Sequence, residues 1–248
     1  MKKSYLLIFL LVISSCKKSE KQLVKITAKN IAIDSTIKAS EEITNIINPY
    51  KEKLTSEMQE VLCYSPKEII KSDGNMQSSL GNLMADMCFK MANPIFKENT
   101  NEAIDFVLLN YGGIRADLPK GYIKKEHAFK LMPFENELVV VNLTGDKVLE
   151  LISFFINNKE AHPFCKNIEL IISKNSYNLK IKGNVFNKNK TYNVLTNDYL
   201  HNGGSNMNFF KNSKKFTILD YKIRDVIIDY FKKTDTLKAT LDNRVIFK

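Results

Sequence analysis

Ile104-Asp-Phe-Val-Leu-Leu-Asn-Tyr-Gly-Gly-Ile-Arg115 runs a continuous apolar stretch of buried-strand length into a paired glycine and then an arginine. A strand ending on Gly112-Gly113 brings backbone amides to a turn unshielded by side chains, where a ligand can come close to the chain. Arg115 adds a planar fork suited to phosphate oxygens, a geometry that lysine matches poorly. The chain holds 34 lysines and only three arginines, Arg115, Arg224 and Arg244. An arginine beside a glycine pair therefore points to a ligand, with a salt-bridged surface loop as the alternative.

Around this run, helical and strand signals alternate. Ser40 before Glu41 and Glu42 marks a helix start by capping and dipole. Ile43, Ile46, Ile47, Tyr50 and Leu54 continue that helix with helical period, with a bend expected at Pro49. Leu80, Leu83, Met84, Met87 and Met91 form a second stripe, read as core, with Ser78 or Ser79 as its cap. Thr144-Gly-Asp146 opens a third helix with Val148, Leu149, Ile152, Phe155 and Ile156 on its buried face, and a fourth covers Arg224 to Lys233. Strands are predicted around Ile26–Ile33 and over Val61–Ser65, Ile104–Leu109, Glu137–Leu143, Ile168–Ser173, Leu179–Ile181, Tyr192–Thr196 and Arg244–Phe247, with a hairpin turn at Lys174-Asn-Ser176. This mixture has no regular βαβ rhythm, so the predicted class is α+β, with mixed sheets and packed helices.

The first residues read as targeting rather than fold. Lys2-Lys3, an apolar Tyr5–Ile13 too short to span a bilayer, and Ser14-Ser15 make a signal segment over residues 1–15. Ile13-Ser-Ser-Cys16 resembles a bacterial lipobox, which implies cleavage before Cys16 and lipid on its sulfur. Residues 16–24 would then be a lipid-anchored tether, and 25–248 one domain. The formal charge of +10 is lysine spread along the chain, without the clustered arginine and aromatic patch of a nucleic-acid binder. A positive field still favours capture of a small polyanion. Cys63, Cys88 and Cys165 have no Cys-x-x-Cys spacing and read as buried apolar residues rather than metal ligands; one disulfide among them stays open.

Two aromatic residues lie at loop entrances. Phe134 follows Pro133 and precedes Glu135-Asn136, and Tyr199 lies between a strand and Asn202-Gly-Gly204. Rings so placed either stack on a base from two sides or pack as core under their loops.

Several motifs, in order, make the chain resemble the C-terminal, substrate-binding domain of the 5′-nucleotidase family. They are Ser79-Leu-Gly-Asn-Leu-Met-Ala-Asp86, Asn110-Tyr-Gly-Gly-Ile-Arg-Ala-Asp-Leu-Pro-Lys-Gly121, Met132-Pro-Phe-Glu-Asn136, Leu143-Thr-Gly145 and Thr196 to Gly204. The resemblance implies that Asn110 and Arg115, with the Gly112-Gly113 backbone, contact the ribose and phosphate side of a nucleotide. It implies that Phe134 and Tyr199 clamp the base, and that Asn202, Gly203 and Gly204 shape the loop beneath. Two departures stand out. Ser205-Asn206 replaces the usual Asp-Gly, and Lys71–Ser79 lacks the arginine many members carry, leaving Lys71 as its replacement or none.

No cutting chemistry is evident. Family members that hydrolyse phosphate esters use a two-metal site in a separate domain rich in Asp, His and Asn ligands. Here His127, His162 and His201 lie far apart; the first two read as structural or solvated, while His201 lies near enough to the Tyr199 loop to touch a ligand. There is no Gly-x-Ser-x-Gly elbow, Cys–His pair or P-loop. The expectation is the nucleotide-recognition half of a split hydrolase, lipid-anchored in a bacterial cell envelope. It would have no cofactor of its own, and a separate metallophosphatase chain would supply divalent metals. A stand-alone nucleotide- or nucleoside-binding lipoprotein is the alternative, and a scaffold protein that keeps the motifs only as fold is a third.

Overall fold

The computed structural model describes residues 22–174, 176–213 and 215–248. The expected signal segment, Cys16 and residues 17–21 lie outside them, as does Asn175 at the tip of the expected hairpin. The chain divides into two units between Asn48 and Pro49. In the first, residues 22–40 contain no strand, contrary to the expectation around Ile26–Ile33. A strand is stable only in a ladder, and these residues have no strand partner among the described residues. Helix α1, Glu41–Met58, starts at the expected cap, where the Ile43 N–H donates to Ser40 Oγ at 3.5 Å, and it runs on through Pro49. Its apolar stripe, Ile43, Ile46, Ile47, Tyr50 and Leu54, is exposed.

The second unit holds all the sheets among the described residues. Strand β1 (Val61–Ser65) pairs antiparallel with β3 (Gly121–Lys124). Strands β2 (Phe106–Val107), β8 (Thr191–Asn197), β4 (Glu137–Thr144) and β9 (Phe216–Lys222) form a four-stranded sheet in that order. A second sheet has the order β10 (Val245–Phe247), β5 (Ile168–Ser173), β6 (Ser176–Ile181), β7 (Asn184–Val185). Parallel and antiparallel pairs coexist and helices pack among the sheets, so the fold is α+β as expected.

Helix α2 (Ser79–Thr100) is the central helix of the core. Ser78 Oγ accepts from the Gly81 N–H at 3.0 Å, which fixes its start. Leu80, Leu83, Met84, Met87 and Phe96 are buried on it, each contributing about 1.5–3 kcal/mol of hydrophobic stabilisation. After α3 (Lys125–Leu131) and β4 comes α4 (Gly145–Asn158), whose buried face is Val148, Leu151, Ile152 and Phe155. Thr144 caps α4, and Gly145 is required there because a Cβ would come within 2.1 Å of the Lys188 carbonyl oxygen. The expected strand Ile104–Leu109 is buried throughout its apolar positions, but only two of its residues join the ladder. The backbone turns away after Leu108, where the Leu109 N–H donates to Pro163 O. Short α5 (Asp198–His201) and α6 (Ile223–Lys232) complete the helices among the described residues. None of the helices there is long and apolar enough to cross a membrane.

Cys63, Cys88 and Cys165 are free and buried, so no disulfide joins them. Burial pushes their thiols up to about 12, 12 and 11 respectively, leaving them protonated at neutral pH.

Candidate nucleotide-binding site

The sheet brings three distant motifs to one end. Val107 lies beside Leu195 in the parallel β2–β8 pair, and Leu138 lies opposite Asn197 in the antiparallel β4–β8 pair. The exits of β2 and β8 and the entry of β4 are therefore neighbours, and each carries one of the candidate stretches.

Beyond β2, Tyr111–Gly113 forms a 3-10 turn closed by the Gly113 N–H on Asn110 O at 3.1 Å. The Asn110 side chain lies over this turn, so that a Cβ on Gly113 would sit 3.2 Å from its Oδ1. The Arg115 N–H then donates to Leu131 O at 2.9 Å, tying the turn to the end of α3, from which Met132, Pro133 and Phe134 follow.

Two side chains fix the remaining pieces. Asp198 Oδ1 accepts from Asn136 Nδ2 at 2.9 Å, from the Glu137 N–H at 3.2 Å and from the Tyr199 N–H at 2.8 Å, joining the Phe134 turn to α5. Arg224, buried on α6, donates to Met132 O at 3.5 Å and Phe134 O at 3.4 Å and pairs with the Glu135 carboxylate. Bonds from Lys222 Nζ and Arg224 hold the Glu135 carboxyl down to about 2. A motif reading has no access to Asp198 or Arg224, because their partners lie 62 and 90 positions away.

The result is a cavity of about 610 Å³ lined by Asn110, Gly112, Gly113, Arg115, Met132, Phe134, Glu135, Asn136, Asp198, Tyr199 and Ser205. Phe134 and Tyr199 are 42% and 48% exposed, which no core ring would be. The Arg115 guanidinium lies 5.9 Å from the Phe134 ring centre and has no carboxylate partner among the described residues. A half-exposed ring pair beside an unpaired, forked cation can hold an aromatic base at one end and an anion at the other.

The glycine loop supports this cavity from outside. Gly203 takes the left-handed φ of 84°, and Ser205 and Asn206 follow at 52° and 61°. A Cβ on Gly204 would come within 2.4 Å of the Tyr199 ring, so only glycine lets the ring lie on the loop. Asn202 instead donates from Nδ2 to Asp198 O at 2.9 Å and, with His201, lines a separate depression. Asn202, Gly203 and Gly204 therefore shape the loop without lining the cavity, and His201 is not in it.

The remaining candidates lie outside the cavity. Lys71 does not enter it; its Nζ donates to Ile114 O at 2.8 Å and sits 4.3 Å from the Tyr111 ring centre. His127 Nδ1 accepts from the Lys124 N–H and caps α3. His162 is buried, its Nδ1 accepts from the Tyr111 N–H at 3.1 Å, and burial pushes its imidazole down to about 4. Among the described residues no three His, Cys, Asp or Glu side chains are grouped to hold a metal ion.

Comparison with known proteins bears on this geometry. Residues 65–212 match the family model described as 5′-nucleotidase, C-terminal domain. The chain is 26% identical over 238 residues to the trifunctional nucleotide phosphoesterase protein YfkN of Bacillus subtilis (strain 168), covering 86% of this chain and 16% of that protein. It is 24% identical over 235 residues to the cell wall protein Lmo0130 of Listeria monocytogenes, covering 84% and 29%. The chain thus spans less than a third of the length of either relative. A 5′-nucleotidase precursor from Thermus thermophilus has the same fold, with a TM-score of 0.68 at 20% identity over 82% of this chain and 42% of that one.

Proposed function

The chain belongs to the 5′-nucleotidase C-terminal domain family, and from that premise we propose that it is the nucleotide-recognition half of a 5′-nucleotidase-type hydrolase. The observation that carries this reading is the Arg115 guanidinium, without a carboxylate partner among the described residues, in the same cavity as the exposed Phe134 and Tyr199 rings. The two rings hold the base, and Asn110 with the Gly112-Gly113 turn meets the sugar. Arg115 holds the phosphate end. The cavity volume of about 610 Å³ is within the range of small-molecule sites.

Hydrolysis needs an activated water and charge neutralisation at phosphorus, which divalent metals on a separate metallophosphatase chain would supply. This chain's residues orient the nucleotide so that its phosphate faces that partner. Lipid on Cys16 places the chain in the cell envelope, and the cell-wall naming of one relative supports that location. Co-anchoring in one membrane raises the effective concentration of the two chains for each other.

Calorimetric titration with a nucleoside monophosphate and its nucleoside tests recognition, and adding a metallophosphatase from the same organism tests catalysis. The expected result is binding of the nucleotide by the chain alone and turnover only with the partner. Binding without turnover by the pair would favour the stand-alone binding lipoprotein. Metal-dependent hydrolysis by the chain alone would sink the division of labour.

A further inference from the structure

We propose that a second groove docks an extended, acidic segment of a protein partner. It encloses about 640 Å³, slightly more than the nucleotide cavity, and shares no lining residue with it. Its two rings, Phe89 and Tyr230, are partly buried, whereas those of the nucleotide site are more exposed. What it offers instead is length and charge.

One wall is a face of α2 from Asn82 to Pro94. At about 1.5 Å per residue that face is roughly 18 Å long, which matches about five residues of extended peptide at about 3.3 Å each. A single small anion would fill only a fraction of it. The facing wall is the stretch from Lys238 to Asp242, which joins no strand. Among the described residues the N–H groups of Lys238 and Thr240, both exposed residues, have no protein partner, so this wall carries donors of the kind an added peptide uses.

The charge is positive in excess. Lys90, Lys166 and Lys238 are exposed at the groove, and none pairs with a carboxylate among the described residues. Lys90 Nζ lies 5.2 Å from the Tyr230 ring centre instead. The groove's two carboxylates, Asp86 and Asp242, are both held by the buried Arg244, at 2.9 Å and 2.7 Å. Arg244 thus offsets one of the two negative charges from within, and with the three lysines the lining keeps a net charge of +2. Phe89, Pro94 and Tyr230 supply apolar surface between them. An extended segment alternating carboxylates with apolar side chains satisfies all three features together.

The test is fluorescence anisotropy with the lipid-free chain and a labelled hexapeptide alternating glutamate and valine, beside its lysine–valine counterpart. The acidic peptide should bind saturably, and several-fold more weakly as salt rises from about 0.05 to 0.5 M. Combining Lys90→Glu, Lys166→Glu and Lys238→Glu should weaken it by roughly tenfold or more. All three side chains are exposed, and an unchanged urea midpoint would verify the fold. Should the reversal variant misfold, the same three positions changed to methionine carry the same expectation. The proposal is overturned if neither peptide binds, if both bind alike, or if the folded variant binds as the parent does. Tripolyphosphate binding that needs the three lysines, with no peptide binding, would overturn it in favour of a small-anion site.

Discussion

The Tyr199 hydroxyl accepts a 3.1 Å hydrogen bond from the backbone N–H of Ser205, so the ring that borders the cavity is tied at its far end to the loop it lies on. Ser205 stands where relatives are expected to carry an aspartate, and it adopts a left-handed φ of 52°. The tyrosine hydroxyl thus holds in place a strained residue that a phenylalanine could not hold.

Tyr199→Phe keeps the stacking face and loses this bond, worth about 0.5–1.5 kcal/mol. It should weaken nucleotide binding by no more than that, while Tyr199→Ala should cost about 1–3 kcal/mol. Gly204→Ala should resemble Tyr199→Ala, because its Cβ displaces the ring. Titration calorimetry on variants with parental unfolding midpoints measures all three. Equal binding by Tyr199→Ala and parent would remove the ring from the site.

Arg115→Lys keeps the charge and loses the fork. It should reduce affinity for a nucleoside monophosphate while leaving the nucleoside nearly unaffected. Phe134→Ala should weaken both ligands by about 1–3 kcal/mol. Competitive titration of the pair of ligands against each variant separates the two roles, and an equal loss of both ligands in Arg115→Lys would contradict the assignment of Arg115 to phosphate.

Arg224 acts through Phe134 rather than on ligand, holding the carbonyls of Met132 and Phe134 and the Glu135 carboxylate. Arg224→Met should cost stability of about 1–3 kcal/mol for buried acceptors left unpaired. It should also loosen the Phe134 turn, so that nucleoside affinity falls even at temperatures where the variant is fully folded. Urea unfolding and nucleoside titration at low temperature check the two effects separately, and unchanged affinity in the folded variant would show that the turn holds itself.

Acidification should act through His162. Its imidazole sits at about 4 in the fold because burial disfavours the charged form, while in the unfolded chain it titrates near 6.5. Between those values unfolding takes up a proton, so this contribution to stability is complete above pH of about 6.5 and is lost as pH falls toward 4. Protonation also removes the Nδ1 acceptor from the Tyr111 N–H at the start of the 3-10 turn. The urea midpoint should therefore decline across that window, and His162→Gln should flatten the decline. An identical slope in the variant would assign the acid sensitivity elsewhere.

How much of the fold and site is legible in the sequence depends on where each residue's partners lie. Helix α2 and strand β4 announce themselves because their apolar periodicity is local and long. The Ile26–Ile33 alternation looks like a strand but lacks a strand neighbour among the described residues, and the α1 stripe keeps its helical period while staying exposed. Strand β9 gives little signal because it is an edge, with Phe216 and Ile218 half exposed and Asp220 at a φ of 49° interrupting its pairing with β4. Strand β3 is four residues of mixed polarity. The cavity residues Asn110, Arg115, Phe134 and Tyr199 can be named because each adjoins a turn signal. Asp198 and Arg224 cannot, since what they hold together comes near only after the sheet has formed.

The parallel seating of β10 on β5, with Val245 opposite Leu170 and Phe247 opposite Ile172, has a consequence for synthesis. About 75 positions separate those partners, so β5 and its hairpin leave the ribosome well before the strand that covers them. In that interval Leu170, Ile171 and Ile172 offer an uncovered row of peptide groups flanked by apolar side chains, a template for neighbouring nascent copies. The interval rather than the finished fold is when the β5 edge stands open to pairing, and shortening the chain before Arg244 would leave that edge open for good.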